Sequence, residues 1–330
     1  MKVQIYSGAR SLVAKSGVGQ ALLHQQMILT RLGVPTTLAS SRDADIVHIN
    51  TVFPDALAAA RLAHRRGQKV VYYAHSTMED FRESFRGSNQ VAPLFKRWLL
   101  HCYSQGDVLI TPTPYSRTLL YGYGIQKPIA ALSNGVDTAF FQPSALQGAV
   151  FRARYGIDMR EKVVVSVGHQ IVRKGILEFI SLARLFPLVR FFWFGHTSPR
   201  LIPKAVHEAI RRAPANLCFA GYVDQHELRD AYCGSDLFCF MSTEETEGIV
   251  VLEALACGVP VLVRDIPVYD GWLVDGENVH KAQDLSSFYT KTEQLLAGEL
   301  NDCTAAGRAT AEAHSFDAIG QKLLHIYAAL

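Results

Sequence analysis

The 330-residue chain is 49% hydrophobic and 19% charged, enough apolar mass for a large packed core and too patterned for global disorder, and its length suits two domains better than one. A net charge of +3 conceals an asymmetry: residues 1–145 hold 15 Lys and Arg against 8 Asp and Glu (+7), the remainder 18 against 22 (−4), so the first half is expected to meet an anionic surface. No run of about 18 apolar residues is present to suggest a membrane-spanning helix, and no aromatic-basic RNA motif or zinc finger points to nucleic acid.

In chain order, MKVQIYSGARSLV opens as a strand and a Gly turn, without the apolar stretch and cleavage site of a signal peptide, so a cytoplasmic location is expected. KVQIYSG, ADIVHIN, KVVYYAH, VLITPT and IAALSNG read as strands, with QALLHQQMILTRLG and PDALAAARLAHRRG helical between them. The second half repeats the scheme with KVVVSVG, VRFFWFG, LCFAGYV, DLFCFMS and VPVLVRD. Apolar strands joined by helices predict parallel sheets covered on both faces. The fold class is therefore α/β, with two Rossmann-like, doubly wound domains facing across a cleft and ligands beyond the carboxyl ends of the strands. TAFFQPSALQG, where periodicity gives way to Pro, Gly and Ser, marks the boundary. This divides the chain into an N-terminal domain at 1–145, a C-terminal domain at 146–312, and a closing helix at 313–330 that packs back toward the first. The six cysteines form no C-x-x-C pair and read as reduced, mostly buried thiols.

The segment STEETEGIVVLEALACGVP carries the most chemistry. A strand ends in an acidic turn, Gly248 opens a helix, and Gly258-Val259-Pro260 stops it. Backbone amides at such a helix start, with the helix dipole, suit a phosphate. Glu245 precedes the terminus and Glu253 follows eight positions later, a span of about 12 Å if all of it were helical. Carboxylates accept from vicinal hydroxyls while phosphates need donors, so the pattern describes a nucleotide sugar. Upstream, VVVSVGHQIVRKGI places Arg173 and Lys174 in a loop after the strand that ends at Gly168. Fixed cations there would stabilise negative charge on a departing phosphate.

In the first half, Gly17 and Gly19 precede a helix, and His75 sits at the carboxyl end of KVVYYAH. Asn134-Gly135 reads as turn chemistry. Asp43-Ala44-Asp45 reads as surface capping before a strand, and no metal ligand cluster is evident. FRESFRGSNQVAPLFKRWLLHCYSQG mixes Arg82, Arg86, Lys96 and Arg97 with Phe81, Phe85, Leu94, Phe95, Trp98 and Leu99. It fits an interfacial helix on anionic lipid, or else a core helix with snorkelling cations.

STEETEGIVVLEALA resembles the E-x7-E signature of family 4 glycosyltransferases, which have the GT-B fold. The resemblance implies that Glu245 meets donor-sugar hydroxyls, Glu253 the nucleotide ribose, and the amides of Ile249 and Val250 the phosphates. It also places Gly17 and Gly19 in a Gly-rich turn facing the cleft and His75 near the donor sugar. Two departures stand out. Glu247 replaces the usual aromatic before Gly248. His169 stands where the family's Gly-Arg…Lys-Gly pattern has Arg, leaving Gly168, Lys174 and Gly175 in place and Arg173 as the substitute guanidinium. SNGVDTAFFQP matches the family's Asn-Gly-Val-Asp turn and serves as a fold marker.

HSTMEDFRESFRGSN, WFGHTSPRLIP and LVRDIPVYDGW are further similar to a Gram-positive subgroup that makes diglycosyl diacylglycerols. That resemblance implies transfer of hexose from UDP-galactose or UDP-glucose to monoglucosyldiacylglycerol, with retention of α configuration. No cofactor or metal is expected, and the enzyme would lie peripherally on the inner face of the cell membrane. A soluble saccharide acceptor, a UDP-sugar epimerase and a catalytically silent nucleotide binder are the competing readings.

Overall fold

The computed structural model describes residues 1–6, 8, 13 and 16–330, and the chain divides into two compact units. The first comprises Met1–Phe81, Asn89–Gly135 and His314–Leu330, the second Arg82–Ser88 and Val136–Ala313.

The first unit is built on a six-stranded parallel sheet of order β2-β1-β3-β4-β5-β6. Its strands are β1 (Val3–Tyr6), β2 (Thr36–Thr37), β3 (Ile46–Ile49), β4 (Lys69–Tyr73), β5 (Val108–Thr111) and β6 (Ile129–Ala131). Helix α1 (Gly17–Arg31) follows β1, α2 (Pro54–Arg65) follows β3, and the short α3 (Met78–Phe81) and longer α4 (Ser88–Tyr103) follow β4. After β5 comes α5 (Pro114–Gly122). Side chains alternate across each strand, so the sheet feeds two cores. Val47, Ile49, Val70 and Tyr72 pack with Ala56, Ala60 and Leu99 on the α2 and α4 face. Val3, Ile5, Val71 and Tyr73 pack with Leu22, Ile28 and Leu29 of α1 on the other.

The second unit repeats the plan with order β12-β11-β10-β7-β8-β9, again all parallel. Helix α6 (Ala145–Arg154) leads into β7 (Val163–Val167), a 3₁₀ turn (Val172–Lys174) and α7 (Ile176–Leu185). There follow β8 (Arg190–Phe194), α8 (Lys204–Arg211), β9 (Leu217–Gly221), α9 (Gln225–Gly234), β10 (Leu237–Phe240) and α10 (Ile249–Cys257). The unit closes with β11 (Val261–Arg264), β12 (His280–Ala282), α11 (Leu285–Ala297) and α12 (Thr304–Ala313). Trp193, Phe179 and Phe191 anchor the core under α7.

The division falls at Gly135/Val136, earlier than the composition break at 138–150 suggests. The cause is burial: Phe141 is sealed against Tyr232, and Phe140 packs edge-on against His226 beneath the Arg229 guanidinium. Residues 136–144 thereby belong to the second core. Helix α13 (Phe316–Ala328) belongs to the first unit, where Phe316, Ile319, Leu323 and Tyr327 join the α1 core. A Cβ at Gly320 would come within 2.8 Å of a Leu32 methyl, so glycine lets α13 settle against α1 without moving that side chain.

Candidate active site

In the second sheet the strand order reverses between β7 and β10, which pair directly through Leu237 opposite Val164 and Phe238 opposite Val165. Loops leaving the carboxyl ends of such a strand pair diverge and leave a crevice, where open α/β sheets bind ligands. The loop after β7 carries Gly168 to Gly175, and the loop after β10 carries Met241 to Gly248.

The two loops are locked together. Gly175 has φ of +75°, and a Cβ there would lie 2.3 Å from the Met241 carbonyl oxygen, so the close approach requires glycine. The Arg173 carbonyl accepts from the Thr243 amide at 2.8 Å and the Ser242 hydroxyl at 3.2 Å. Gly168 packs against the aliphatic stem of Lys174. Lys174 Nζ forms an ion pair with Glu245 Oε1 and lies 5.3 Å from the centroid of the Phe240 ring. Burial alone would push the Glu245 carboxyl up, but Lys174 and then Arg173 outweigh it and hold it below the usual range, so Glu245 is ionised.

Arg173 turns the other way. Its Nη1 donates to the Glu244 carbonyl at 2.5 Å, its Nε to Ser84 Oγ at 3.2 Å, and Nη1 stands 3.8 Å from Glu245 Oε1. The guanidinium is buried and braces the acidic turn. His169, at the position of the family arginine, has Nδ1 3.1 Å from the His196 carbonyl.

Gly248 begins α10 with φ of +92° and no side-chain cap. The amides of Ile249 and Val250 have no partner among the described residues, and the helix dipole adds partial positive charge there. The helix starts only at Ile249, so the interval from Glu245 to Glu253 is turn followed by helix rather than one continuous helix. Glu253, one turn into α10, is buried and accepts from the Tyr232 hydroxyl at 3.0 Å. Burial pushes its carboxyl up to about 8, against the opposing effect of that hydrogen bond. Glu247 is also buried.

Tyr232, Phe240 and Tyr269 were not legible as site residues. Each lies in an apolar stretch, and only the fold brings it to the loops. The Tyr269 hydroxyl is sealed without a hydrogen-bond partner among the described residues, and a Cβ on Gly248 would stand 3.2 Å from it. Lys174, Glu245, Gly248, Ile249, Val250 and Glu253 thus gather at one switch point within one unit: a cation, two free amides and two carboxylates. Among the described residues no group of His, Cys, Asp and Glu is arranged to hold a metal ion. Asp45 accepts the Lys2 amide at 2.7 Å.

His75, Gly17 and Gly19 belong to the first unit. His75 follows β4, stacks on Tyr73 with centroids 4.2 Å apart, and has Nε2 2.9 Å from Asn50 Oδ1. Burial pushes its imidazole down to about 3, so the ring is neutral. Gly17 and Gly19 form the first turn of α1, whose cap is Ser16, with Oγ accepting from the Gly19 amide at 3.4 Å. The segment between β1 and α1 lies largely outside the described residues.

Two doubly wound domains, one with a cationic and amide-lined switch point, define the GT-B class of glycosyltransferases. The chain belongs to the group 1/family 4 glycosyltransferases: the family model for glycosyl transferases group 1 matches residues 149–312, and that for glycosyltransferase family 4 matches 21–140. It is 36% identical, over 99% of its own length and 98% of the relative's, to the processive diacylglycerol alpha-glucosyltransferase of Acholeplasma laidlawii. Identity to the alpha-galactosylglucosyldiacylglycerol synthase of Streptococcus pneumoniae is 26%, over 78% of this chain and 71% of that one. Among solved structures, Anabaena HepE in complex with UDP-glucose superposes with a TM-score of 0.81 at 16% identity over the full length of both chains.

Proposed function

We propose that this glycosyltransferase moves glucose from UDP-glucose to a diacylglycerol-based acceptor, foremost monoglucosyldiacylglycerol, with retention of α configuration. The observation that carries the reading is the set of Lys174, the Ile249 and Val250 amides, and the paired carboxylates Glu245 and Glu253 at the β7/β10 switch point. The likeness over the whole length to a relative named for diacylglycerol glucosylation supplies the acceptor class and favours glucose over galactose.

In this reading the Ile249 and Val250 amides and Lys174 hold the diphosphate. Lys174 leaves Glu245 for the phosphate, and Glu245 turns to the sugar hydroxyls. Glu253 accepts from the ribose hydroxyls. The anomeric carbon–oxygen bond to UDP breaks while the acceptor oxygen bonds to the same carbon from the same face. The acceptor's proton passes to the departing phosphate oxygen, so no protein base is needed. Fixed cations and amides stabilise that oxygen without reorganisation.

The acceptor side draws on α4. Its outer surface exposes Gln90, Val91, Leu94 and Arg97, whereas Trp98 donates to the Val52 carbonyl, Phe95 stacks on Phe81, and Lys96 lies over the Tyr123 ring. The α4 part of the basic-aromatic segment therefore divides: Leu94, Val91 and Arg97 are the groups it offers to an anionic bilayer. No helix among the described residues is long and apolar enough to cross a membrane, and peripheral attachment on the inner face fits this reading.

The test is transfer of radiolabel from UDP-glucose and, separately, UDP-galactose to monoglucosyldiacylglycerol in anionic vesicles. Faster transfer from UDP-galactose would replace the donor. Equal activity on soluble saccharides without vesicle binding would defeat the lipid acceptor, and UDP-sugar isomerised without acceptor would favour an epimerase. Glu253→Ala is expected to weaken UDP binding; unchanged affinity would remove its role.

A further inference from the structure

Five buried polar side chains in the first unit form one uninterrupted chain of hydrogen bonds that the transfer reaction above does not use. His75 Nε2 stands 2.9 Å from Asn50 Oδ1, Asn50 Nδ2 2.6 Å from Gln25 Oε1, Gln25 Nε2 3.4 Å from the Tyr327 hydroxyl, and that hydroxyl 2.5 Å from His48 Nδ1. The members come from four places: α1 gives Gln25, the end of β3 gives His48 and Asn50, the end of β4 gives His75, and α13 gives Tyr327. All five are buried.

Such a chain has a direction. Each amide must turn its oxygen to one neighbour and its nitrogen to the other, so neither can reverse alone without setting oxygen against oxygen or donor against donor. Both imidazoles are neutral, since burial pushes each down to about 3, and each therefore carries one N–H. Read along the chain, His75 donates through Nε2, Asn50 and Gln25 each donate onward, and Tyr327 donates to His48. The chain stops at His48, whose Nε2 is sealed without a partner among the described residues. With no exit there, it is an orienting device and not a proton path.

We propose that Tyr327 is a positioning residue: through Gln25 and Asn50 it fixes His75 as the Nε2–H tautomer and leaves Nδ1 as a hydrogen-bond acceptor at the carboxyl end of the first sheet, where open α/β sheets bind ligands. His75 Nδ1 has no hydrogen-bond partner among the described residues, and stacking on Tyr73 holds the ring plane. Helix α13 thus acts at the carboxyl end of β4 through an imidazole three hydrogen bonds away from the Tyr327 hydroxyl. The expected effect on transfer rests on the proposed function; the tautomer does not.

The experiment is nitrogen-15 NMR of the full chain labelled at histidine, with the His75 signals assigned from His75→Gln. The wild-type protein is expected to show a protonated Nε2 and an unprotonated Nδ1. Tyr327→Phe removes the hydroxyl that Gln25 and His48 share and is expected to give a mixture of tautomers. Its kcat for transfer from UDP-glucose should fall roughly tenfold while KM for the donor changes little. Adding Asn50→Asp to Tyr327→Phe should restore the Nε2–H form, because a carboxylate only accepts. A proton on Nδ1 in the wild type, or unchanged His75 signals in Tyr327→Phe, would overturn the wire. Full transfer by His75→Ala would overturn the role in transfer while the nitrogen signals still judged the wire.

Discussion

The chemically equipped ends of the two sheets solve opposite electrostatic problems. At the β7/β10 switch point of the second unit, full charges are held against one another: Lys174 on Glu245, with Arg173 bracing the same turn from behind. At the end of β4 in the first unit, everything is neutral and directional: two uncharged imidazoles joined through amides and a phenol. The net charges of the halves run the other way, +7 for residues 1–145 and −4 for the rest. Bulk charge therefore says little about a site's chemistry. It describes the exposed surface, such as Arg97 on α4, while the site is set by which few groups are desolvated together.

The comparison can be broken most decisively at Lys174. Lys174→Ala removes the cation assigned to the leaving phosphate and strands Glu245 in a buried turn. Transfer is expected to fall about 10²–10³-fold, measured as kcat with both substrates saturating; a loss under fivefold would shift the role to His169 or Arg173. Gly175→Ala tests the lock between the two charged loops. Its Cβ would meet the Met241 carbonyl from a left-handed backbone, and a stability loss on the order of 3 kcal/mol is expected, read as a lower denaturant midpoint at unchanged slope.

Arg97→Glu probes the surface charge of the first unit. Reversal changes two charges near a bilayer, so vesicle partitioning should drop about thirtyfold at low salt and much less at high salt, followed by liposome sedimentation. Salt-independent sedimentation would remove α4 from the interface.

Glu253 offers the finest test. Its carboxyl is raised from 4.5 to about 8 by burial, so between those values the folded chain keeps a proton that the unfolded chain releases. Folding stability from this group is therefore undiminished below about 4.5 and declines as pH rises toward 8. If ribose hydroxyls donate to the carboxylate, UDP affinity should rise with pH, by up to roughly tenfold per unit, and level off above 8. Titration calorimetry from pH 6.5 to 8.5 would read this. Glu253→Gln should flatten both trends, and Tyr232→Phe should move them to higher pH by removing the bond that lowers the carboxyl.

Much of this was legible because it is local. Apolar strands such as Val163–Val167 and Leu237–Phe240 announce buried parallel strands by composition alone, and an acidic turn, a Gly and a helix announce an uncapped terminus at Gly248. Strand β2 is illegible because two residues carry no periodicity, and β12 because its His-Lys-Ala sequence lacks the apolar run that marks the equally short β6. The composition break lies later than the division at Gly135/Val136 because Phe140 and Phe141 look like linker residues until Tyr232 and His226 cover them.

What the sequence determined by itself was the fold class and the order of the groups at the β7/β10 switch point, since both follow from backbone geometry and short-range spacing. What only tertiary structure decided was which groups share a buried space. Arg173, beside Lys174 in the chain, faces Ser84, while Lys174 faces Glu245. Gln25, Asn50 and Tyr327, up to 302 residues apart, meet around His75. Desolvation and hydrogen-bond direction belong to neighbours in space, and no spacing along the chain encodes them.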